Sequence, residues 1–452
     1  MAAAVTADAV IYLPGIMGSE LRIGQKVVWG AKLGRILRQV FFRDVFEQLE
    51  PKPDDGIVAG NPISFPAMIP LLGSMEPYAD LGKRLKGAVL RPEAVLAFGY
   101  DWRHPVGDAA AALAPIAKTH LTEWRARYDT IDRDERRGLG QPMLTLVGHS
   151  MGGLVAASYL ANADADVAAQ VRRVITLGTP FQGSLNALRV IATGEQLPFG
   201  LWSESLQRSA VKMPGLYDLL ARYPSVEEPG SDLPRVLTPA DVGSIGGSVD
   251  LALQAFDRMD GLMEQVATFS NRTLHCLSGT TQPTLQSVSI EHGIPTFGEE
   301  VTHADGYRAD FGGDGTVYRY ASTPTHIDGH PLPQSHGALA KTGEGTNYAA
   351  EIATLRRPGP YQGDGDLGLR IADVVQAGRP FDATVTAGSE RPVTWRVQDA
   401  ELGTVRMTRK SAVRDGEATI SLTIPAAGLH RVTVAAGGFS AVERLVLAVE
   451  SS

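Results

Sequence analysis

The segment Gly148-His-Ser-Met-Gly-Gly153 constrains this chain more than any other, because an apolar run at 143–147 leads into it and a helical pattern starts at Leu154. A strand that turns abruptly into a helix holds the corner residue in a strained backbone conformation. Side chains two positions before and two after the corner would collide with the turn, and Gly-x-Ser-x-Gly removes both. The strain projects the Ser150 hydroxyl outward, and the helix N-terminus behind it favours developing negative charge. An ordinary glycine-rich turn needs no such flanks, so Ser150 is read as a nucleophile. His149 should point the other way and is read as a structural residue of the elbow, not as the base.

The surrounding pattern is α/β. Apolar runs at 10–13, 94–98, 143–147, 171–177 and 272–277 end in glycine-marked turns, with helical patterns such as 108–127 and 154–163 between them. Such alternation predicts a mostly parallel sheet covered on both faces, with its chemistry at the carboxyl ends of the strands. Two stretches, 29–75 and 184–268, interrupt the rhythm after presumptive active-site strands, where cap and lid elements are expected. The first holds an aromatic run, and Phe41, Phe42 and Phe46, with Val40 and Val45, are candidate lipid contacts. The plainer alternative packs them on the core, where apolar residues at helical spacing usually face.

At 356–366 the composition becomes that of a linker, rich in Pro, Gly and Asp. Short alternating runs follow over 367–452 without helices, predicting a small, immunoglobulin-like all-β sandwich. One of its faces can supply a core while the other is free for a partner or for the catalytic unit, residues 1–355. Every catalytic candidate lies before the linker. The chemical step is therefore expected to survive removal of the sandwich.

A chain of 452 residues is too long for one domain of ordinary size. Forty-two basic residues against 50 acidic ones give a net charge of −8. That charge excludes a basic footprint for nucleic acid and a cationic field for anionic lipid. The single cysteine, Cys276, rules out an internal disulfide framework and reads as a packed strand residue. No run approaches the ~20 apolar residues of a membrane span, and the opening residues lack a basic leader. A cytoplasmic location is expected, with room for peripheral membrane contact; no cofactor and no metal are expected.

A serine nucleophile needs a base, an acid to orient it and donors for the oxyanion. On a sheet of this kind the order is Ser, then Asp or Glu, then His. Asp314, in Gly312-Gly-Asp-Gly-Thr-Val317, is the preferred acid, because flanking glycines free its carboxylate; a simple Asx turn is the bland alternative. Asp305 and Asp310 lack those flanks. His326, His330 and His336 all lie downstream. His336, where a loop passes into a final helix, is preferred over the other two, which sit in a Pro/Gly-rich loop and read as solvated. The backbone N–H of Met151 is one expected oxyanion donor, and that of Ile16, after the bend at Pro14-Gly15, is the other.

These pieces coincide as a set. Pro14-Gly-Ile-Met-Gly-Ser-Glu-Leu21, Tyr100-Asp-Trp-Arg103, Gly148-His-Ser-Met-Gly152, Leu177-Gly-Thr-Pro-Phe-Gln-Gly-Ser184, Gly313-Asp-Gly-Thr-Val317 and Ser335-His336 follow one another in this order. Over about residues 10–355 the chain resembles the lecithin:cholesterol acyltransferase family of the α/β-hydrolase superfamily, with its lysosomal phospholipase and phospholipid:diacylglycerol acyltransferase branches. The resemblance implies Ser150, Asp314 and His336 as the triad and Ile16 and Met151 as oxyanion donors. It also implies that Asp101 and Arg103 form a structural pair near the site. The animal enzymes carry a disulfide in the first insertion, where this chain has no cysteine, and the carboxyl-terminal sandwich lies outside the family pattern.

The expected activity is that of a lipid acyl-ester hydrolase or O-acyltransferase, passing an acyl group from Ser150 to water or an alcohol. Two other readings remain open at this point: a carboxylesterase for small esters, and a lapsed hydrolase scaffold serving as a binding module. Two long insertions argue against an open esterase site. A lapsed enzyme should have lost a triad member, and all three are present.

Overall fold

The computed structural model describes residues 5–30, 44–64, 67–69, 73–75, 78–193, 203–303, 305–356 and 367–450. Its central sheet has six strands: β1 (Ala9–Leu13), β2 (Val95–Ala97), β3 (Leu144–His149), β4 (Val171–Leu177), β5 (Leu274–Gly279) and β6 (Gly329–Leu332). Their order is β6-β5-β4-β3-β1-β2, and every pairing is parallel. All six residues of β3 are buried, as a strand covered on both faces requires. Cys276 is fully buried on β5, and burial pushes its thiol pKa up to about 12.

Helices close both faces. In Val106–Thr130 a buried stripe of Ala109, Ala110, Leu113, Ala117, Leu121, Trp124 and Tyr128 recurs at helical spacing. The helix Met151–Ala161, directly after β3, is buried from Met151 to Leu160, because Val106–Thr130 and Val249–Val266 both pack on it. Among the described residues no helix is long and apolar enough to cross a membrane.

The two interruptions cover the carboxyl-terminal side of β1 and β3. Ile57–Pro62 of the first pairs with Ser19–Ile23, which also pairs with Lys26–Trp29, in a small antiparallel sheet. The short helix Asp44–Gln48 then packs on Ser203–Ala210 of the second, and the Ser209 hydroxyl donates to the Phe46 carbonyl at 2.7 Å. Val40, Phe41 and Phe42 lie outside the described residues, as does the Val45 side chain.

The carboxyl-terminal part has its own core around the fully buried Trp395. Eight strands surround it: β7 (Leu367–Ile371), β8 (Val374–Gln376), β9 (Pro380–Ala387), β10 (Val393–Asp399), β11 (Val405–Ser411), β12 (Glu417–Thr423), β13 (Gly428–Ala436) and β14 (Val442–Val449). They form a three-stranded sheet, β7-β9-β12, and a five-stranded sheet, β8-β14-β13-β10-β11. All pairings are antiparallel except β8 with β14. Most of the linker stretch, 357–366, lies outside the described residues. The boundary is bridged more heavily than a linker of that composition suggests, since Gln282, Gln334 and Ser335 all hydrogen-bond across it.

Candidate active site

Ser150 stands between β3 and its helix with φ 53° and ψ −129°. Its N–H donates to the Leu177 carbonyl at 2.9 Å, and its own carbonyl accepts from the Thr179 hydroxyl at 3.0 Å. Glycine is mandatory on both sides. A Cβ on Gly148 would lie 2.4 Å from the Gly153 backbone, and one on Gly152 would lie 2.3 Å from the Pro14 carbonyl oxygen. The elbow thus presses the helix that follows Ser150 onto the loop after β1.

Asp314 and His336 meet at this end of the sheet. His336 Nδ1 lies 2.6 Å from Asp314 Oδ2, and both residues are buried. The other carboxylate oxygen, Oδ1, accepts from the Thr316 and Val317 N–H groups at 2.9 and 2.6 Å. The Asx turn and the contact with His336 are therefore one arrangement: the turn aims Oδ2 at the imidazole. The His336 N–H also donates to the Asp314 carbonyl at 2.8 Å. His336 Nε2 is buried and has no hydrogen-bond partner among the described residues. Gly178, with φ 60°, makes room for the pair, since a Cβ there would stand 3.0 Å from Asp314 Oδ2 and 3.1 Å from His336 Nδ1.

The other candidates are engaged elsewhere. Asp310 accepts from Gln286 and the Gly312 N–H, and Asp305 from the Tyr307 N–H. His326 bonds to the Phe269 carbonyl. His330 is half-buried on β6, where its ring packs on Tyr348, rather than lying solvated in a loop.

A relay of hydrogen bonds ties the loop after β1 to His336. The Gly15 N–H donates to Tyr78 Oη at 2.8 Å, and Tyr78 Oη lies 2.8 Å from His149 Nδ1. The His336 carbonyl facing Nε2 can only accept, so the neutral His149 carries its proton on Nε2, and Nδ1 accepts the Tyr78 hydroxyl proton. Nε2 then donates to the His336 carbonyl at 2.9 Å. Burial, reinforced by the neighbouring His336, lowers the His149 pKa from 6.5 to about 3, which keeps the ring neutral as the relay requires. Burial likewise pushes the Tyr78 pKa up. The loop's own bonds use the Gly15 and Gly18 N–H groups, not that of Ile16.

The depressed pKa makes stability depend on pH. Between pH 6.5 and about 3 the unfolded chain binds a proton at His149 that the folded chain does not. The contribution is therefore complete above the unfolded pKa and is lost as pH falls through this window. Urea unfolding midpoints from about pH 7 down to about pH 4 should fall more steeply for the wild type than for His149→Gln. Equal slopes would remove His149 as the cause.

Tyr100-Asp-Trp-Arg103 holds the same loop from the other side. Tyr100 Oη donates to the Pro14 carbonyl at 2.9 Å, and Trp102 Nε1 to the Ser19 carbonyl at 3.3 Å. Arg103 is fully buried and grips Asp101 through Nε and NH2, at 2.9 and 2.6 Å, while NH1 reaches Asp55 at 2.7 Å. The expected pair is thus a triad of charges, and Asp55 is its unanticipated member. A buried guanidinium leaves no other stable option, because an unpaired charge there would be costly.

Next to Ile16 lies a small apolar cavity of about 20 Å³, lined by Ile16, Met17, Phe46, Trp102, Met213 and Leu216, together with Val190, Leu206 and Ala210. Phe46 therefore departs from the expectation of a surface lipid contact. It is 2 % exposed, its ring lies 6.3 Å from that of Trp29, and it forms part of the cavity wall. At Phe46 the plainer alternative holds, and the helical spacing turns its apolar face inward.

Residues 70–215, spanning the elbow, Tyr100–Arg103 and the Leu177–Ser184 segment, match the family described as lecithin:cholesterol acyltransferase. This segment is similar to that family. The match supports a lipid acyltransferase or hydrolase kind of function. No curated protein matches the chain. Solved structures resemble it only weakly. A superoxide reductase (neelaredoxin) from Ignicoccus hospitalis is 12% identical over 20% of this chain and 82% of its own, with a TM-score of 0.16. The CARDB domain of a Pyrococcus furiosus protein is 14% identical over 20% of this chain and 90% of its own, with a TM-score of 0.15. An engineered protein is 14% identical over 73% of this chain and 60% of its own, with a TM-score of 0.18. Scores this low carry no argument here.

Proposed function

We propose that the chain is a serine-dependent lipid acyl-ester hydrolase or O-acyltransferase that forms an acyl-enzyme on Ser150. The observation that carries this reading is the buried Asp314–His336 pair at the same end of the sheet as a strained serine elbow, with an apolar cavity against Ile16. His336 Nε2 takes the Ser150 proton as Oγ bonds to the ester carbonyl carbon. Asp314 holds Nδ1–H and stabilises the imidazolium. The carbonyl oxygen, now an oxyanion, is received by the Ile16 and Met151 N–H groups. Collapse breaks the ester C–O bond, and His336 returns the proton to the departing alcohol. Water or a second alcohol, deprotonated by His336, then takes the acyl group and frees Ser150.

The acyl chain enters along this apolar lining, which must part to admit it because the cavity has room for about one water, and Ile16 contributes both to its wall and to the oxyanion site. Blocking the entry tests this. Ala210→Phe is expected to lower kcat/KM on a long-chain p-nitrophenyl ester at least about tenfold, since the chain loses several methylenes of burial at ~0.8 kcal/mol each. Turnover of the acetate ester should stay within about twofold. An equal loss on both esters, or none on either, would place the acyl chain elsewhere.

A further inference from the structure

We infer that the carboxyl-terminal sandwich is a positioning element of the active site, acting through Gln334, Ser335 and Gln282; the inference rests on the triad reading above. The residues immediately before His336 are fastened to the lead-in and start of β14. Gln334 Nε2 donates to the Ala441 carbonyl at 3.0 Å, while Gln334 Oε1 accepts from the Glu443 N–H at 3.2 Å. The Ser335 hydroxyl donates to the Glu443 carbonyl at 2.6 Å. Lys341, just past the base, pairs with the Glu443 carboxylate at 2.6 Å. The base loop therefore continues the hydrogen bonding of a strand in the other core.

The acid loop is held in the same way. Gln282 pairs through its backbone with Gly313, next to Asp314, at 2.9 and 3.2 Å. Its side chain bridges to β7, donating to the Leu367 carbonyl at 3.0 Å and accepting from the Leu369 N–H at 3.1 Å. The Arg444 guanidinium covers Gly315 so closely that a Cβ there would lie 2.5 Å from NH1. Gln282, Gln334 and Ser335 are all at most 1 % exposed, so each depends on its cross-boundary partner. Besides the direct bond from the His336 N–H to the Asp314 carbonyl at 2.8 Å, both loops share this support from the sandwich. The 2.6 Å contact between Asp314 and His336 is held by one unit gripping both loops.

The experiment uses the full chain, with Ser335→Ala, Ser335→Thr, Gln334→Met and Ser150→Ala. On a water-soluble short-chain ester, assayed below each melting temperature, Ser335→Ala and Gln334→Met are expected to lower kcat by roughly 10- to 100-fold with KM nearly unchanged, as small misplacements do. The downfield proton resonance of the His336–Asp314 hydrogen bond should shift or broaden in both. Ser335→Thr, which keeps the hydroxyl, should recover most of kcat and the resonance. Wild-type kcat with an unshifted resonance in both variants, whatever their melting temperature, would overturn the inference. Ser150→Ala should be inactive yet keep the resonance. If it stays active, the triad reading fails, and the resonance alone then decides the clamp.

Discussion

Ser150→Ala is expected to lower turnover of a soluble ester by about 10⁴-fold or more, with the unfolding midpoint within error of wild type. Only the covalent step is removed, and residual acceleration comes from the oxyanion donors and binding. Alanine keeps the same strained corner, so the fold loses nothing. Asp314→Asn should cost about as much, for a reason visible in the acid loop. Oδ1 accepts two backbone N–H groups, so an asparagine must place its carbonyl there and turn its NH2 toward His336 Nδ1. That forces the proton onto Nε2, the atom that must accept from Ser150. The imidazole is then in the wrong tautomer, although hardly an atom has moved. Near-normal kcat in either variant would remove that residue from the mechanism, and matched urea titrations would show whether lost activity is lost folding.

What could be read from the sequence was local or followed chain order. The elbow is spelled by consecutive residues, because the collision that demands Gly148 and Gly152 arises within one turn. Asp314 is marked by its glycine flanks, and His336, among three histidines that chain order allows, by its place where a loop passes into a final helix; the structure brings these two together. Tyr78 left no such signal. Its role depends on Gly15, 63 residues away, and His149, 71 residues away, and nothing near it in the chain marks it. Asp55 escaped for the same reason, as did the contacts of Gln282, Gln334 and Ser335, which read as loop residues until a second core is placed against them. Strands β7 and β8 give no signal of their own in the sequence, because five and three residues are too brief for alternation to register. Phe46 shows the opposite failure. Its apolar pattern was clear, but a pattern specifies a buried face without saying what buries it.

A chain ending at residue 355 is expected to be insoluble, or soluble without ester activity. This reverses the expectation drawn from the linker's composition. Gln282, Gln334 and Ser335 would each lose partners supplied by β7, β14 or the Ala441 lead-in. A buried polar group left unpaired costs about 1–3 kcal/mol, and three such groups approach a domain's net stability of about 5–15 kcal/mol. The chain can avoid that cost only by letting the loops open to water, and those are the loops that carry Asp314 and His336. Either outcome removes the Asp314–His336 geometry, by unfolding or by local release. Circular dichroism and soluble-ester kinetics on the shortened chain would separate the two. A soluble, folded product with kcat within about twofold of the full chain would mean that the loops hold their geometry unaided. The sandwich would then be a passenger on the catalytic unit.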